Sequence, residues 1–211
     1  MWLHESIDEV DLKVNKAIIK AKRSITKSSH QDLTVKSYIN AAGQEAIAAD
    51  LLSEKIFLKT LVDEGFSGTL YSEESGIKYF GDPEEGDPAS IILLLDPLDG
   101  SQNYVKSIPI GCISVAYGKY KQSPHLNDLT HAAVMNLYNN ELYFSSKGNG
   151  AFMNAVKLPN YNDLKLPPFR DRDIHISYYA YGANASRYSF DFQDIYTLRS
   201  LGSAAWELAM V

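Results

Sequence analysis

The sequence predicts an α+β fold in which layers of helices and sheets alternate. Three features of the 211-residue chain point there. Apolar residues recur at helical spacing through roughly the first sixty positions, the period drops to two beyond Gly111, and strand-then-helix patterns close the sequence.

Ile7, Val10, Val14, Ala17, Ile18, Ala21 and Ile25 repeat at helical spacing with Lys and Asp on the opposite side, so roughly the first 25 residues form an amphipathic helix. Ser28-Ser29-His30-Gln31-Asp32 breaks that pattern, and Ala41-Ala42-Gly43 is a second weak point. Asp50 fits an N-cap, with Leu52, Ile56, Leu58 and Leu61 as the buried side of a second helix that stops before Gly65. Thr69-Leu70-Tyr71 is strand-like and leads into a polar loop rich in Gly, Pro and Glu. Ser90 to Leu95 is a buried-strand signature; Gly111 to Tyr120 alternates, and Ala132 to Tyr138 joins Glu141 to Phe144 through Asn139-Asn140 as a hairpin. Pro159 to Arg172 reads as an exposed connection, Ile174 to Tyr179 as a strand, and a helix starts near Ser203. The expected division is an N-terminal α+β region over 1–130 and a C-terminal α/β region over 131–211.

Composition bounds the function. Apolar residues make up 45% of the chain, enough for a substantial core, and the net charge of −6 argues against a nucleic-acid footprint or a polybasic membrane surface. Cys112 is the single cysteine and lies in an alternating run, so it reads as a small buried side chain in a chain that forms no internal disulfide. The acidic residues near the N-terminus do not resemble a signal peptide and no apolar run would span a bilayer, so a cytoplasmic location is expected. His4, His30, His125, His131 and His175 show no metal-ligand spacing.

The chemistry-bearing stretch is Leu95-Asp96-Pro97-Leu98-Asp99-Gly100-Ser101. Pro97 biases Asp96 toward an extended conformation and the chain is expected to turn as the strand ends, so that both carboxylates face one point. Amides of the turn after Gly100 would attract an anion, which the two acids would repel unless cations intervene; Mg²⁺ suits a few carboxylates, water and phosphate oxygens. Asp-Gly beside a proline also ends strands as a plain turn, and Glu73-Glu74 alone would read as solvated charge.

Taken together, Ser72-Glu73-Glu74-Ser75, the apolar strand and Asp96-Pro97-Leu98-Asp99-Gly100-Ser101 resemble the inositol monophosphatase family of Mg²⁺-dependent, lithium-sensitive-type sugar phosphatases, whose pattern is Gly-Glu-Glu followed by Asp-Pro-Ile/Leu-Asp-Gly-Thr/Ser. Lys147-Gly148-Asn149-Gly150-Ala151, Arg199-Ser200-Leu201-Gly202-Ser203-Ala204-Ala205 and the Asp50-to-Glu54 helix start are similar to further family segments. The resemblance implies a layered αβαβα architecture with mixed, largely antiparallel sheets. It also implies two or three Mg²⁺ ions held by Glu73, Asp96, Asp99 and the main-chain oxygen of Leu98. Glu73, Ser101 and Asp50 would serve catalysis, and Asp99, Gly100, Ser101, Arg199, Gly202, Ser203 and Ala204 would contact substrate. The substrate would be a small phosphorylated sugar or cyclitol, inositol monophosphate or fructose 1,6-bisphosphate, with a nucleotide 3′-phosphate as the alternative; no nucleic-acid or membrane partner is implied, and a homodimer is.

Two departures stand out. Gln102 occupies a place where the family often carries a second Thr or Ser. The family's third metal-binding aspartate, in a Trp-Asp-x-Ala-Ala/Gly motif, has no match before Val211, and Trp206-Glu207 is not a substitute for it, so either the polypeptide extends further or the enzyme is impaired. A haloacid-dehalogenase-type phosphatase would place its aspartates two positions apart instead of three, and a non-catalytic metal- or sugar-phosphate-binding module is the remaining alternative. Tyr178-Tyr179-Ala180-Tyr181 fits a sugar site or sheet packing, and Arg187 and Arg199 fit contacts to a second phosphate or surface ion pairs.

Overall fold

The computed structural model describes residues 9–41, 43, 45–160, 165, 175–178 and 197–211. Helix α1 (Glu9–Lys27) buries Val14, Ala17, Ile18, Ala21 and Ile25, the face its apolar spacing predicts; Ile7 lies outside the described residues. The Ser28-Ser29 break is followed by a single helical turn, α2 (His30–Leu33), whose His30 Nε2 lies 2.8 Å from the carbonyl oxygen of Tyr104. Two short strands, β1 (Lys36–Ile39) and β2 (Glu45–Ile47), form an antiparallel arm that the sequence did not signal, because four and three residues are too few to display alternation.

Helix α3 (Ala48–Asp63) has its N-cap at Ile47, three residues before the expected one. Asp50 therefore sits in its first turn, and its Oδ2 reaches back to accept the Ile47 N–H at 2.8 Å. The buried side is also displaced from the expected one: Ala49, Asp50, Ser53, Glu54, Phe57, Thr60 and Leu61 are covered, while Leu52 and Leu58 are only partly so. Those positions keep helical spacing, but four of the seven are polar, so apolar periodicity alone recovers only Leu61 of this stripe.

Seven further strands follow in the first part of the chain: β3 (Ser67–Ser72), β4 (Gly76–Phe80), β5 (Ser90–Asp99), β6 (Cys112–Lys119), β7 (His131–Asn136), β8 (Leu142–Ser146) and β9 (Gly150–Met153). With the two-residue β10 (Val156–Lys157) they make an eight-stranded sheet in the order β10-β9-β8-β7-β6-β5-β3-β4. Only β3 and β5 pair in parallel; the remaining neighbours are antiparallel, as expected of a mixed, largely antiparallel sheet. Strand β4 corrects the reading of this stretch as polar loop: it is a sheet edge with Ile77 and Tyr79 exposed, a pattern that a buried-strand signature does not capture.

Period-two alternation then sorts the sheet into faces. Leu70, Leu93, Leu95, Val115, Tyr117, Ala133, Phe144 and Phe152 join the core with α1 and α3. Residues one step out of phase, Tyr71, Leu94, Ala116 and Ala132, line an open cleft of about 760 Å³ on which the short helix α5 (Ala204–Ala209) contributes Ala205, Leu208 and Ala209. Among the described residues no helix is long and apolar enough to cross a membrane.

The chain divides into two compact units, residues 1–158 with 203–211, and residues 159–202. The described part of the second is a parallel pair, β11 (His175–Ser177) with β12 (Thr197–Arg199), closed by the Tyr178 N–H donating to the Arg199 carbonyl at 3.0 Å. Most of the connection expected over 159–172 lies outside the described residues.

The face assignment is open to a direct comparison of neighbours. Leu93→Ala should cost about 2–5 kcal/mol by urea unfolding, the range for truncating a fully buried leucine, whereas Leu94→Ala should cost no more than about 0.5 kcal/mol.

Candidate metal and phosphate site

Everything at this site follows from how β5 ends. A regular strand sends residues three apart to opposite faces, so Asp96 and Asp99 would diverge. Opposite β6, however, Asp96 pairs with Ser114 and Asp99 with Cys112: three steps on one strand answer two on the other. The extra residue is a bulge between Asp96 and Asp99, where Pro97 has no N–H to lose from the ladder, and the two carboxylates lie close enough for Asp99 to raise Asp96. The strand thus carries through Pro97 to Asp99 instead of turning at Asp96. Gly100 follows with φ of 91°, in the left-handed region that glycine adopts freely, and the single-turn helix α4 (Ser101–Val105) opens directly after it.

Each aspartate has one oxygen committed to the protein. Asp96 Oδ1 accepts the Leu98 N–H at 3.0 Å. Asp99 Oδ2 accepts the Ser203 hydroxyl at 2.8 Å and the Ala205 N–H at 2.7 Å, so α5 and its preceding serine grip this carboxylate across more than a hundred residues of sequence. Ser203 is 0% exposed and its hydroxyl is directed at Asp99. The Cys112 thiol donates to the same Oδ2 at 3.7 Å. The other oxygen of each aspartate has no hydrogen bond among the described residues.

The remaining acids arrive from two other elements. Glu73 and Glu74 occupy the turn between β3 and β4, closed by Gly76 at φ 69°, where a Cβ would stand 3.3 Å from that of Ala41. Glu74 is 6% exposed and held by neutral donors: Tyr38 Oη at 3.1 Å and Asn40 Nδ2 at 3.2 Å. Asp50, 2% exposed, comes from the first turn of α3.

Burial and mutual repulsion leave a clear electrostatic signature. Desolvation, then Asp99 and Glu73, push Asp96 up to about 7 against the opposing Leu98 hydrogen bond. Burial drives Asp50 up to about 8 against the Ile47 hydrogen bond, with Glu74, Asp96 and Glu73 adding to the rise. Glu73 is raised by its burial and by Glu74 and Asp99. No lysine or arginine figures among the causes for these three groups.

That imbalance is what a hard divalent cation would cancel. The donor set fits one: carboxylates, hydroxyls and main-chain carbonyls, with the one thiol buried and pushed up by its desolvation so that it stays protonated. Among the described residues no three His, Cys, Asp or Glu side chains converge on a single point, so any one ion would draw on two carboxylates at most and fill its sphere with main-chain oxygen and water, as Mg²⁺ prefers.

The sequence pattern of the inositol monophosphatase family matches residues 4–211. The chain belongs to that family. It is 33% identical over 176 residues to a fructose-1,6-bisphosphatase/inositol-1-monophosphatase of Methanothermobacter thermautotrophicus, covering 82% of this chain and 60% of that protein. It is 30% identical to a bifunctional NADP phosphatase/NAD kinase of Methanocaldococcus jannaschii, covering 97% of this chain and 37% of the relative. The chain therefore spans less than two thirds of the length of these relatives. The crystal structure of the extragenic suppressor protein SuhB from Bartonella henselae superposes with a TM-score of 0.73 at 23% identity, covering 97% of this chain and 74% of that one, and shares its fold.

Of the residues singled out by sequence, the structure brings Asp96 within electrostatic reach of Asp99, Glu73 and Asp50, brings Glu73 within reach of Asp99, and sets Ser203 on Asp99. Leu98, Gly100 and Ser101 follow in the same strand-to-helix junction, and Ala204 opens α5. Arg199 and Gly202 belong to the second unit. Arg187 and Tyr179 to Tyr181 lie outside the described residues. Sequence reasoning left Tyr38 and Asn40 unmarked, since neither sits in an acidic pattern, and they are the side chains that hold Glu74.

The raised carboxyls carry a pH signature. Asp50 and Asp96 titrate at about 8 and about 7 when folded, against 3.8 ordinarily, so the cation-free folded state binds more protons than the unfolded chain across that interval. Stability then falls as pH rises through it. In chelator, the melting temperature should drop from about pH 5 to about pH 8.5, and Asp50→Asn should flatten the slope; equal slopes in the two proteins would refute this account.

Proposed function

We propose that this chain is the metal-dependent catalytic portion of a phosphoric monoester hydrolase acting on a small sugar or cyclitol phosphate. The observation that carries the reading is the cluster of Asp50, Glu73, Asp96 and Asp99, built on a family fold, in which Asp50, Glu73 and Asp96 are raised in pKa by burial and by neighbouring carboxylates without a cationic side chain among the causes.

Glu73, Asp96, Asp99 and the Leu98 carbonyl would share two or three Mg²⁺ ions, none drawing on more than two of the carboxylates, which would supply Lewis-acid activation of water and neutralise phosphoryl charge when bound. Glu73 and the Ser101 hydroxyl orient the attacking water, whose proton passes through the hydroxyl to the Glu73 carboxylate. The amides of Gly100 and Ser101, presented by the left-handed Gly100, hold the phosphoryl oxygens for in-line attack. Asp50 closes the acidic cluster from the α3 side, and Ser203 and the Ala205 amide keep Asp99 turned toward the reacting group. No covalent enzyme intermediate forms, and Ala204, which opens α5, contributes to substrate choice.

The names of the relatives support the substrate class: one is a bisphosphatase and monophosphatase of sugar-type esters. The NADP phosphatase relative favours a second reading in which a nucleotide phosphate is hydrolysed. A panel of inositol 1-phosphate, fructose 1,6-bisphosphate, 3′-phosphoadenosine 5′-phosphate and NADP⁺, assayed for phosphate release with Mg²⁺, separates them. The cytoplasmic homodimer expected from the sequence belongs to the same proposal.

Asp96→Asn should abolish Mg²⁺-dependent phosphate release while the circular dichroism spectrum is unchanged; turnover retained in that variant would overturn the assignment. Ser101→Ala should lower kcat by about 100-fold with KM changed far less, since its hydroxyl acts on water in the chemical step.

A further inference from the structure

Glu73 is the acid with the least to hold it. Its carboxylate has no hydrogen-bond partner among the described residues, and it stands on a tight turn at the sheet edge. A ligand held that loosely would cost affinity each time it swung away, so whatever fixes it must act on the residues beside it.

Both neighbours are anchored. Ser72, 8% exposed, uses one hydroxyl twice: it donates to Glu54 Oε2 at 2.5 Å and accepts the Glu74 N–H at 3.1 Å. Glu54 is itself buried at 4% exposure on α3, and its Oε1 takes the Lys78 ammonium of β4 at 3.2 Å. On the far side, Glu74 is gripped by Tyr38 and Asn40, and its carbonyl accepts the Ala41 N–H at 3.2 Å. Helix α3, strand β4 and the β1 arm therefore converge on the backbone either side of Glu73, and the Ser72 hydroxyl is where the α3 and turn branches meet.

We infer that Ser72 is a positioning residue: by joining buried Glu54 to the Glu74 amide it fixes the turn that presents Glu73 to a divalent cation, without itself touching cation or substrate. The inference rests on the phosphatase reading above. Glu54 is the anchor of this device, and Lys78 offsets its buried charge.

The readout is Mn²⁺ binding by calorimetry, alongside kcat and KM for the best substrate of the panel and thermal melting. Ser72→Ala should weaken Mn²⁺ about tenfold and raise the Mg²⁺ needed for half-maximal activity in proportion, with KM unchanged. Ser72→Thr, which keeps the hydroxyl, should restore binding to within about threefold of the original protein. Unchanged Mn²⁺ affinity in Ser72→Ala, a threonine variant as weak as alanine, or a KM that rises in step would each overturn the proposal. Should Ser72→Ala fail to fold, Glu54→Gln carries the test: weakened Mn²⁺ binding supports the role and unaltered binding refutes it. Asp96→Asn is the control: Mn²⁺ binding equal to the original protein there would mean that the phosphatase reading has failed, not merely the role of Ser72.

Discussion

Like charges brought together in a poorly hydrated place repel, and the chain spends much of its architecture enforcing that proximity. Asp50, Glu73 and Asp96 each come from a different element, and each is shifted upward by burial and by neighbouring carboxylates. Such an arrangement opposes folding of the cation-free chain at neutral pH. It persists because rigid parts hold it: a bulged strand for two aspartates, the first turn of a packed helix for Asp50, and a hairpin turn for the glutamates.

The bulge between Asp96 and Asp99 is the smallest of these devices and the one with the greatest leverage. One extra residue in β5 converts a spacing that would scatter two carboxylates into one that unites them, and α5 then grips the second through Ser203 and the Ala205 amide. The same helix lies against β5, β6 and β7, so the orientation of Asp99 is tied to packing on the sheet.

Much of this was legible in advance, for physical reasons that differ from residue to residue. The α+β class followed from the change of period, and α1 from a stripe of aliphatic residues whose spacing leaves little freedom. Asp96 and Asp99 were recognisable because Pro and Gly bracket them, and such residues mark backbone that must bend. The face of α3 was not legible, since it buries Ser53, Glu54 and Thr60 where a hydrophobic count expects leucine. Nor was the edge strand β4, whose Ile77 and Tyr79 face outward. The Tyr38 and Asn40 contacts to Glu74 join residues 36 and 34 positions apart, which no local pattern encodes.

Cys112 is the one thiol, wholly enclosed at the back of Asp99. Burial first and the nearby aspartates after it disfavour the thiolate, the form that peroxides and alkylating agents attack. A sulfur so placed gives the neighbouring carboxylate a soft, compliant backing while itself staying protonated and out of reach of such reagents.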